Sequence, residues 1–330
     1  MQAAIVRAPN TTWELTSLAI PKLGPNDVLV KVRASGLCYT DVHITQGLLP
    51  GPFPRVLGHE VTGDVVELGS SVTSRTIGDR VGVPWLQRSC GRCEWCLRDK
   101  PLFCADRVGT GNHVWGGHAE YLVAAASATV PLPDSLSYSE AAPFLCAGYT
   151  VWSAIKAVRP KPGDRIAVLG IGGLGHLAIQ FSKVLGFETA AITRSPDKLS
   201  LAKALGADHA FLRVDQLREL GGVDVILATC NSFRLATEAL PGLRPEGSMV
   251  LLGLSQEPFT VTNSLLFARQ RIIGTFPSSR EDLYEVLKLA GSRKVAAKIE
   301  TYPLGRITDA YDRVANGTVR FRAVITDGAP

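Results

Sequence analysis

Hydrophobic and polar residues change over at short intervals in the first third of the chain. Apolar runs at 3–6, 13–18 and 28–32 are separated by turn-forming Pro, Gly and Asn residues. Runs of this length predict β-strands, and two more are expected at 61–68 and 80–84. Because turns rather than helical segments join these runs, we expect antiparallel β structure in this part of the chain.

A different pattern begins near residue 162, where short apolar runs alternate with helical segments. The expected strands lie at 166–169, 189–193, 209–212, 224–228, 248–252 and 272–276. The expected helices run from a glycine-rich loop through Leu185, over 196–205 and over 233–240. Regular alternation of this kind predicts a parallel, doubly wound sheet.

The pattern is less decisive between these regions and at the end of the chain. Residues 137–142 begin a helical pattern that leads into a helix expected to carry Cys146. Helices at 280–289 and 308–316 precede a closing strand at 323–326. The pattern alone does not assign this last stretch to either domain.

The totals describe an ordinary globular protein. A chain of 330 residues predicts two domains, and 46% hydrophobic residues provide ample core. The net charge is +5, but the basic residues are scattered, so we expect no nucleic-acid partner. We find no run of about 18 apolar residues and no signal-peptide pattern near the N-terminus, so no membrane association is expected. We therefore expect a cytoplasmic protein.

Four of the seven cysteines lie close together, as Cys90, Cys93, Cys96 and Cys104. The spacing C-x2-C-x2-C-x7-C places four thiolates on one short lobe, which indicates metal binding in a reducing compartment. Four soft ligands with no open position are typical of a structural, tetrahedral zinc. An iron–sulfur cluster is the alternative, although its usual motif has a tighter spacing to the fourth cysteine.

A second candidate metal set consists of Cys38, His59 and Cys146. Two thiolates and an imidazole leave the fourth position of a tetrahedral zinc to water or substrate, which is how a catalytic zinc is held. Taken alone, His59 is better explained as a hydrogen-bonded core histidine. Its neighbour Glu60 adds a carboxylate at the same place.

The residues after Cys38 offer supporting chemistry. The side chains of Thr40 and His43 could form a proton path between the metal and solvent. Asp41 could accept a hydrogen bond from a ligating histidine and fix its tautomer, or it could cap the following turn.

The glycine-rich loop is Gly170-Ile171-Gly172-Gly173-Leu174-Gly175. It follows an expected buried strand and precedes an expected helix, the context in which G-x-G-x-x-G indicates dinucleotide binding. Glycines there let backbone N–H groups and the helix N-terminus approach a pyrophosphate. A glycine-rich turn in another kind of α/β domain is the alternative.

Together these motifs resemble those of the zinc-dependent, medium-chain alcohol dehydrogenases, over essentially the whole chain. The matching motifs, in order, are Cys38-x-Thr40-Asp41, Gly58-His59-Glu60, the four-cysteine lobe, Cys146 and the glycine loop. Within that family, the chain looks most like the shorter microbial alcohol dehydrogenases and the cinnamyl-alcohol-type aldehyde reductases.

The resemblance implies an α/β protein with two domains. A GroES-like, mostly β catalytic domain would comprise residues 1–147 and 277–330, with one catalytic and one structural zinc. A Rossmann cofactor domain with a doubly wound parallel sheet would comprise residues 148–276. The strand near Ile272 resembles the subunit-joining edge of the family, which implies a homodimer or homotetramer.

The resemblance also implies residue roles. Cys38, His59 and Cys146 match the catalytic zinc ligands, Glu60 matches a carboxylate that approaches the zinc transiently, and Thr40 and His43 match the proton relay. The implied cofactor-binding residues are Thr150, Gly170, Gly172, Gly173, Leu174, Gly175, Thr193, Arg194, Ser195, Lys198 and Arg322.

Two departures from the family pattern bear on the cofactor. Tyr39 stands where relatives often carry His or Arg near the pyrophosphate. Thr193 stands where NAD enzymes usually place a carboxylate for the ribose 2′-hydroxyl, and Arg194 follows it. A missing anion beside a guanidinium suits the 2′-phosphate of NADP, so NADP(H) is preferred and NAD(H) is the alternative.

The implied activity is hydride transfer between NADP(H) and a primary alcohol or aldehyde. The alternatives are an NAD-dependent alcohol dehydrogenase and a zinc polyol or sugar dehydrogenase of the same superfamily, in which a glutamate usually replaces Cys146. A binding protein that retains only the fold is disfavoured, because all three zinc ligands and both relay residues are present.

Overall fold

Eighteen strands and eleven α-helices make up most of the regular structure of residues 1–277 and 279–328, which this computed structural model describes. The strands are β1 (Gln2–Val6), β2 (Glu14–Ser17), β3 (Asp27–Leu37), β4 (Arg55–Val56), β5 (Glu60–Leu68), β6 (Arg80–Val83), β7 (Leu86–Arg88), β8 (Val108–Gly109), β9 (Tyr121–Ala125), β10 (Val130–Pro131), β11 (Arg165–Leu169), β12 (Glu188–Ile192), β13 (His209–Phe211), β14 (Val223–Ala228), β15 (Leu243–Leu251), β16 (Arg271–Gly274), β17 (Ile299–Pro303) and β18 (Arg322–Thr326). The helices are α1 (Tyr39–Thr45), α2 (Glu94–Leu97), α3 (Tyr138–Ala141), α4 (Ala147–Val158), α5 (Gly175–Val184), α6 (Lys198–Ala204), α7 (Gln216–Glu219), α8 (Phe233–Ala239), α9 (Ser264–Phe267), α10 (Arg280–Gly291) and α11 (Ile307–Ala315).

By its internal contacts the chain divides into two units, and the first comprises Met1–Cys146 and Ser278–Pro330. Its main sheet has the strand order β10-β6-β5-β3-β18-β17, and β9 pairs with one end of β3. Every pairing in this sheet is antiparallel except that of β17 with β18. A smaller antiparallel sheet has the order β2-β1-β4, so the expected antiparallel character is confirmed.

Alternating valines supply the core of the main sheet. Val28, Val30 and Val32 on β3 belong to one buried cluster, together with Val61 and Val65 on β5. Successive side chains of a strand point to opposite faces, so this spacing places all three β3 valines on one face. The sheet therefore has one well-packed side.

The C-terminal strand returns to this first unit. β18 pairs antiparallel with β3, and Ala323 lies opposite Leu37. Its parallel partner β17 was not predicted, because Ile299–Pro303 ends in proline and buries only Tyr302 well, so it lacks an alternating apolar pattern.

The second unit, Ala147–Pro277, contains a six-stranded sheet in the order β13-β12-β11-β14-β15-β16. All of its pairings are parallel. The prediction of a parallel, doubly wound sheet is thus confirmed. The strand order reverses between β11 and β14, and such a switch point is where sheets of this type bind dinucleotides. β15 begins at Leu243, earlier than expected, because the polar residues that open it hide the strand pattern.

Candidate active site and metal centres

The register between β3 and β5 brings two of the candidate zinc ligands together. Gly36, near the end of β3, pairs with Glu60, the first residue of β5. Cys38 follows the end of β3 and His59 directly precedes β5, so their side chains emerge at the same edge. Sterics favour glycine at position 36, because a Cβ there would stand 2.0 Å from Oε2 of Glu60.

Cys38 also caps the start of helix α1. Its sulfur lies 3.5 Å from the backbone nitrogen of Thr40, and its own backbone N–H donates to Oδ2 of Asp41 at 2.9 Å. This reciprocal arrangement is a capping box, with a thiol in place of the usual hydroxyl. The hypothesis that Asp41 caps the turn is therefore confirmed.

Cys146 lies in a bend between helices, so the expectation that a helix carries it is wrong. It follows a 3-10 turn at Ala142–Leu145 and precedes α4, and its φ and ψ are −133° and −70°. Pro143 lies at the start of the 3-10 turn, and the helical geometry is not resumed until Ala147. A pattern of apolar residues cannot reveal such a one-residue interruption.

Four side chains converge at this place. One ligand atom from each of Cys38, His59, Glu60 and Cys146 lies within 4.8 Å of the others. The two sulfurs of Cys38 and Cys146 are 3.8 Å apart. Two thiolates bound at about 2.3 Å to one tetrahedral zinc are separated by about 3.8 Å, so the donor set fits a zinc ion.

The pKa values of these side chains shift in different directions: that of Cys38 falls, whereas those of Cys146 and Glu60 rise. A hydrogen bond from Cys146, together with the nearby His59, holds the pKa of the Cys38 thiol below its usual range despite burial. Burial raises the pKa of Glu60 to about 7, although the Arg322 guanidinium opposes the change. The Oε2 atom of Glu60 is buried without a hydrogen-bond partner in the described part of the chain.

Arg322 lies beside this group and is itself buried. Its guanidinium pairs with Oε1 of Glu60, and its Nη2 also approaches the carbonyl oxygen of Leu37 at 3.4 Å. The contact with a cofactor phosphate that the resemblance implies for Arg322 stays a prediction.

Asp41 lies behind His59. Its Oδ1 atom is 3.7 Å from Nδ1 of His59, and its Oδ2 atom is 3.6 Å from Nε2 of His118. Burial alone would raise the pKa of Asp41, but the imidazoles of His118 and His59 hold it well below its ordinary value. Because Nδ1 of His59 faces Asp41, Nε2 is the nitrogen left for a metal.

The two proposed relay residues lie on α1. The hydroxyl of Thr40 is 3.5 Å from the sulfur of Cys38, and His43 lies one turn further along the helix. His43 is mostly buried, its ring packs edge-on against Tyr39 at 5.0 Å, and burial lowers its pKa.

The four-cysteine lobe forms a second group of potential ligands. Cys90, Cys93, Cys96 and Cys104 each offer a sulfur within 4.8 Å of the others. The sulfurs of Cys93 and Cys96 are 3.6 Å apart, and those of Cys90 and Cys96 are 4.0 Å apart. Backbone N–H groups of Arg92 and Cys93 lower the pKa of Cys90 to about 6. Burial and hydrogen bonds from neighbouring cysteines instead raise the pKa of Cys93 to about 11, so the lobe suits zinc through its four clustered sulfurs rather than through uniformly ionised thiols.

In the second unit, the glycine loop follows β11 and opens α5. Gly170 has a φ of +96°, and a Cβ on Gly175 would stand 1.9 Å from the carbonyl oxygen of Gly170, so both positions require glycine. Gly172 faces open space, and no side chain caps the start of α5 at Leu174. A helix start without a side-chain cap suits a phosphate.

The other expected cofactor residues are distributed around this loop and on α4. Thr193 directly follows β12, and its hydroxyl accepts a hydrogen bond from the Ser195 N–H at 3.1 Å. Arg194 is exposed beside it. Lys198 begins α6 and donates to the carbonyl of Ile171 in the glycine loop at 3.0 Å. Thr150 lies in the first turn of α4.

Known protein families match both parts of the chain. The family model described as "Alcohol dehydrogenase GroES-like domain" matches residues 24–134, and the one described as "Zinc-binding dehydrogenase" matches residues 173–292. An alcohol dehydrogenase of Geobacillus stearothermophilus is 38% identical over 335 residues, which span 98% of this chain and 99% of that protein. The chain belongs to the zinc-dependent medium-chain alcohol dehydrogenases.

Solved structures place the fold in the same family. A cinnamyl alcohol dehydrogenase of Sorghum bicolor has a TM-score of 0.91 at 32% identity, covering 100% of this chain and 98% of its own. An alcohol dehydrogenase of the archaeon Aeropyrum pernix has a TM-score of 0.92 at 30% identity, covering 99% and 100%. The expected combination of a GroES-like and a Rossmann domain is confirmed.

Sequence reasoning about this alcohol dehydrogenase missed His118. The residue lies in a Gly-Gly-His stretch that resembles the approach to a strand, and nothing in its spacing links it to His59.

No helix among the described residues combines the length and apolar composition needed to cross a bilayer.

Proposed function

We propose that this enzyme interconverts primary alcohols and aldehydes with NADP(H), at a catalytic zinc held by Cys38, His59 and Cys146. The 3.8 Å separation of the two sulfurs is the observation that carries the proposal, because it matches two thiolates on one tetrahedral zinc. Three such ligands leave one position open for the oxygen of the substrate.

The bound groups supply the bond-making chemistry. Cys38, His59 and Cys146 would hold a zinc ion that would act as a Lewis acid on the substrate oxygen, and a bound nicotinamide would supply the hydride chemistry. The protein contributes the donor geometry, the buried surroundings of the ligands and a path for the proton.

Thr40 and His43 provide that path in our proposal. The Thr40 hydroxyl lies next to the sulfur of Cys38, where it can exchange a proton with the substrate oxygen. Because burial lowers the pKa of His43, its imidazole is neutral near pH 7 and can accept the proton during alcohol oxidation.

The four-cysteine lobe holds a second zinc in this proposal, so each chain carries two. Four sulfurs within 4.8 Å of one another can share a single ion. An iron–sulfur cluster would distribute the same cysteines over several irons. The lobe leaves no position for substrate, so its role is structural.

The preference for NADP rests on Thr193 and Arg194. The second strand of the cofactor sheet ends at Ile192 without the carboxylate that usually holds the ribose 2′-hydroxyl of NAD. The exposed guanidinium of Arg194 suits a 2′-phosphate instead. The glycine loop, Ser195 and Lys198 complete the proposed cofactor site.

We further propose the domain boundaries 1–147 with 277–330 and 148–276, and a homodimer or homotetramer that works in the cytoplasm. Strand β16 forms one edge of the six-stranded sheet. Two exposed side chains on nearby α9, Leu266 at 73% and Phe267 at 83%, offer an apolar surface to a second copy. Sedimentation of the purified protein tests the assembly.

The experiment that tests the function is aldehyde-dependent oxidation of NADPH and NADH, measured side by side before and after zinc chelation. Aliphatic, benzylic and cinnamyl aldehydes form the substrate panel. Chelator-sensitive activity that favours NADPH supports the whole proposal, whereas a preference for NADH overturns only the cofactor assignment. Turnover of polyols but of no aldehyde would contradict the substrate class.

A further inference from the structure

The carboxylate of Asp41 lies between two buried imidazoles, and the proposed function uses only one of them. His59 approaches Oδ1 at 3.7 Å, while His118 approaches Oδ2 at 3.6 Å. His118 is fully buried and is not one of the grouped ligand residues.

The chain places His118 there through a close backbone contact. Gly117 donates its N–H to the carbonyl of Gly58 at 2.9 Å, and His118 donates to that of Leu57 at 2.9 Å. A Cβ on Gly116 would stand 2.4 Å from the Gly58 carbonyl oxygen, so the approach requires glycine. The segment that carries His118 is thus fastened to the residues that directly precede His59.

The ring of His118 is also held from the other side. The indole of Trp13 packs against it with ring centroids 5.4 Å apart. Trp13 donates its Nε1–H to the Thr45 hydroxyl at 3.1 Å, and that hydroxyl donates to the carbonyl of Asp41 at 2.8 Å. These contacts restrict the imidazole to a position that faces the Asp41 carboxylate.

The hydrogen-bond donors around the Asp41 carboxylate leave one acceptor site for His118. An ionised carboxylate has about four lone-pair sites. The Cys38 N–H occupies one at Oδ2 and the Gly58 N–H, at 3.3 Å, one at Oδ1. His59 faces the second site at Oδ1, and His118 faces the second site at Oδ2.

His118 in turn needs a partner. Within the described residues, neither of its ring nitrogens has a hydrogen bond at normal distance. A buried polar group without a hydrogen bond destabilises the folded state. A shift of a few tenths of an ångström would convert the 3.6 Å approach to Asp41 into a hydrogen bond.

We propose that His118 is a positioning residue for the catalytic zinc: its Nε2–H fixes the Asp41 carboxylate, so that Oδ1 stays directed at Nδ1 of His59. His59 then presents Nε2 to the metal in one orientation. This inference rests on the proposed function, because that proposal supplies the zinc at Cys38, His59 and Cys146. Groups that orient a zinc-ligating histidine typically change metal affinity about 10- to 100-fold.

Two substitutions separate positioning from packing. His118→Phe retains a ring against Trp13 but removes the donor. His118→Gln removes the ring but places an amide N–H near the position of Nε2. If His118 only packs, Phe should be the milder change; if it positions Asp41, Gln should be the milder change.

The measurement is the rate at which the two-zinc enzyme loses its catalytic zinc to a chromophoric chelator. We expect His118→Phe to lose that zinc about 10-fold faster than the wild type, and His118→Gln to stay within about threefold. Zinc release from the four-cysteine lobe, followed in the same trace, should be unchanged. The visible spectrum of Co²⁺ at the catalytic site should shift in the Phe variant and be restored in the Gln variant.

Equal zinc retention in His118→Phe and the wild type would overturn the proposal, as would equal loss in the Phe and Gln variants. If the Phe variant does not fold, His118→Asn replaces it, because its shorter amide does not reach Asp41 and should release zinc as expected for Phe. A wild-type zinc content that Cys38→Ser leaves unchanged would instead contradict the proposed function itself.

Discussion

The sulfurs of Cys38 and Cys146 lie 3.8 Å apart, although 108 residues separate them along the chain. Each cysteine lies at a break between two regular elements. Cys38 stands between the end of β3 and the start of α1, and Cys146 stands between a 3-10 turn and α4. The fold thus holds two thiols at the separation that a zinc ion requires, and the predictions below depend on that arrangement.

Removing the carboxylate behind His59 should weaken the catalytic zinc site. Asp41→Asn keeps the size of the side chain but removes the charge that faces the imidazole at 3.7 Å. We expect a 10- to 100-fold fall in kcat/KM and partial loss of one zinc per chain, measured by turnover and metal analysis. Asp312→Asn, on the exposed side of α11, is the matched control and should change neither. A fully loaded, fully active Asp41→Asn enzyme would contradict this role.

Replacing His43 should slow proton transfer. We expect His43→Gln to reduce alcohol oxidation in weak buffer about 10-fold and to be partly rescued by small bases such as imidazole. Because burial lowers the pKa of His43, the wild-type oxidation rate should fall only below the usual histidine range, as the imidazole becomes protonated. The variant should lose that dependence. Wild-type rates for the variant in weak buffer would count against the relay.

The cofactor preference should respond to two residues after β12. Thr193→Asp combined with Arg194→Ile supplies a carboxylate for a ribose 2′-hydroxyl and removes the cation suited to a 2′-phosphate. We expect the ratio of kcat/KM for NADPH over NADH to fall by about 100-fold. Arg218→Ile, an exposed arginine of the same unit, serves as the control. An unchanged ratio in the double variant would remove the basis for the NADP assignment.

Breaking the four-cysteine lobe should lower stability before it affects turnover. We expect Cys93→Ser to hold one zinc fewer and to unfold roughly 10 °C earlier, which corresponds to a loss of about 3 to 5 kcal/mol. Its kcat at a temperature below the transition should stay within about twofold of the wild type. Cys230→Ser, outside both groups of potential ligands, should keep the full zinc content. A variant as stable as the wild type would show that the lobe is dispensable.

Much of the fold could be predicted from local patterns in the sequence. The parallel sheet could be predicted because apolar runs alternate with helical segments along the chain, and the observed pairings confirm it. The four-cysteine lobe was visible because its ligands are close in sequence. Strand β17 was missed because it buries little, and the bend at Cys146 was missed because a single non-helical residue leaves no pattern.

Contacts between residues that lie far apart in the sequence could not be predicted from it. Asp41 could be proposed as a partner of His59, but its second imidazole, His118, is brought in by a backbone contact with Leu57. The pairing of Glu60 with Arg322 likewise depends on the return of β18 to β3. Neither relation has a periodicity or spacing that a single sequence displays.

The central claim is that Cys38, His59 and Cys146 hold a zinc on which turnover depends. The most direct test follows zinc content and aldehyde reduction together while a chelator removes metal from the wild-type enzyme, with Cys38→Ser as the comparison. We predict two zinc ions per chain, activity that disappears in proportion to the loss of one of them, and a Cys38→Ser enzyme that holds one zinc and is inactive. Full activity after that zinc has left would contradict the account.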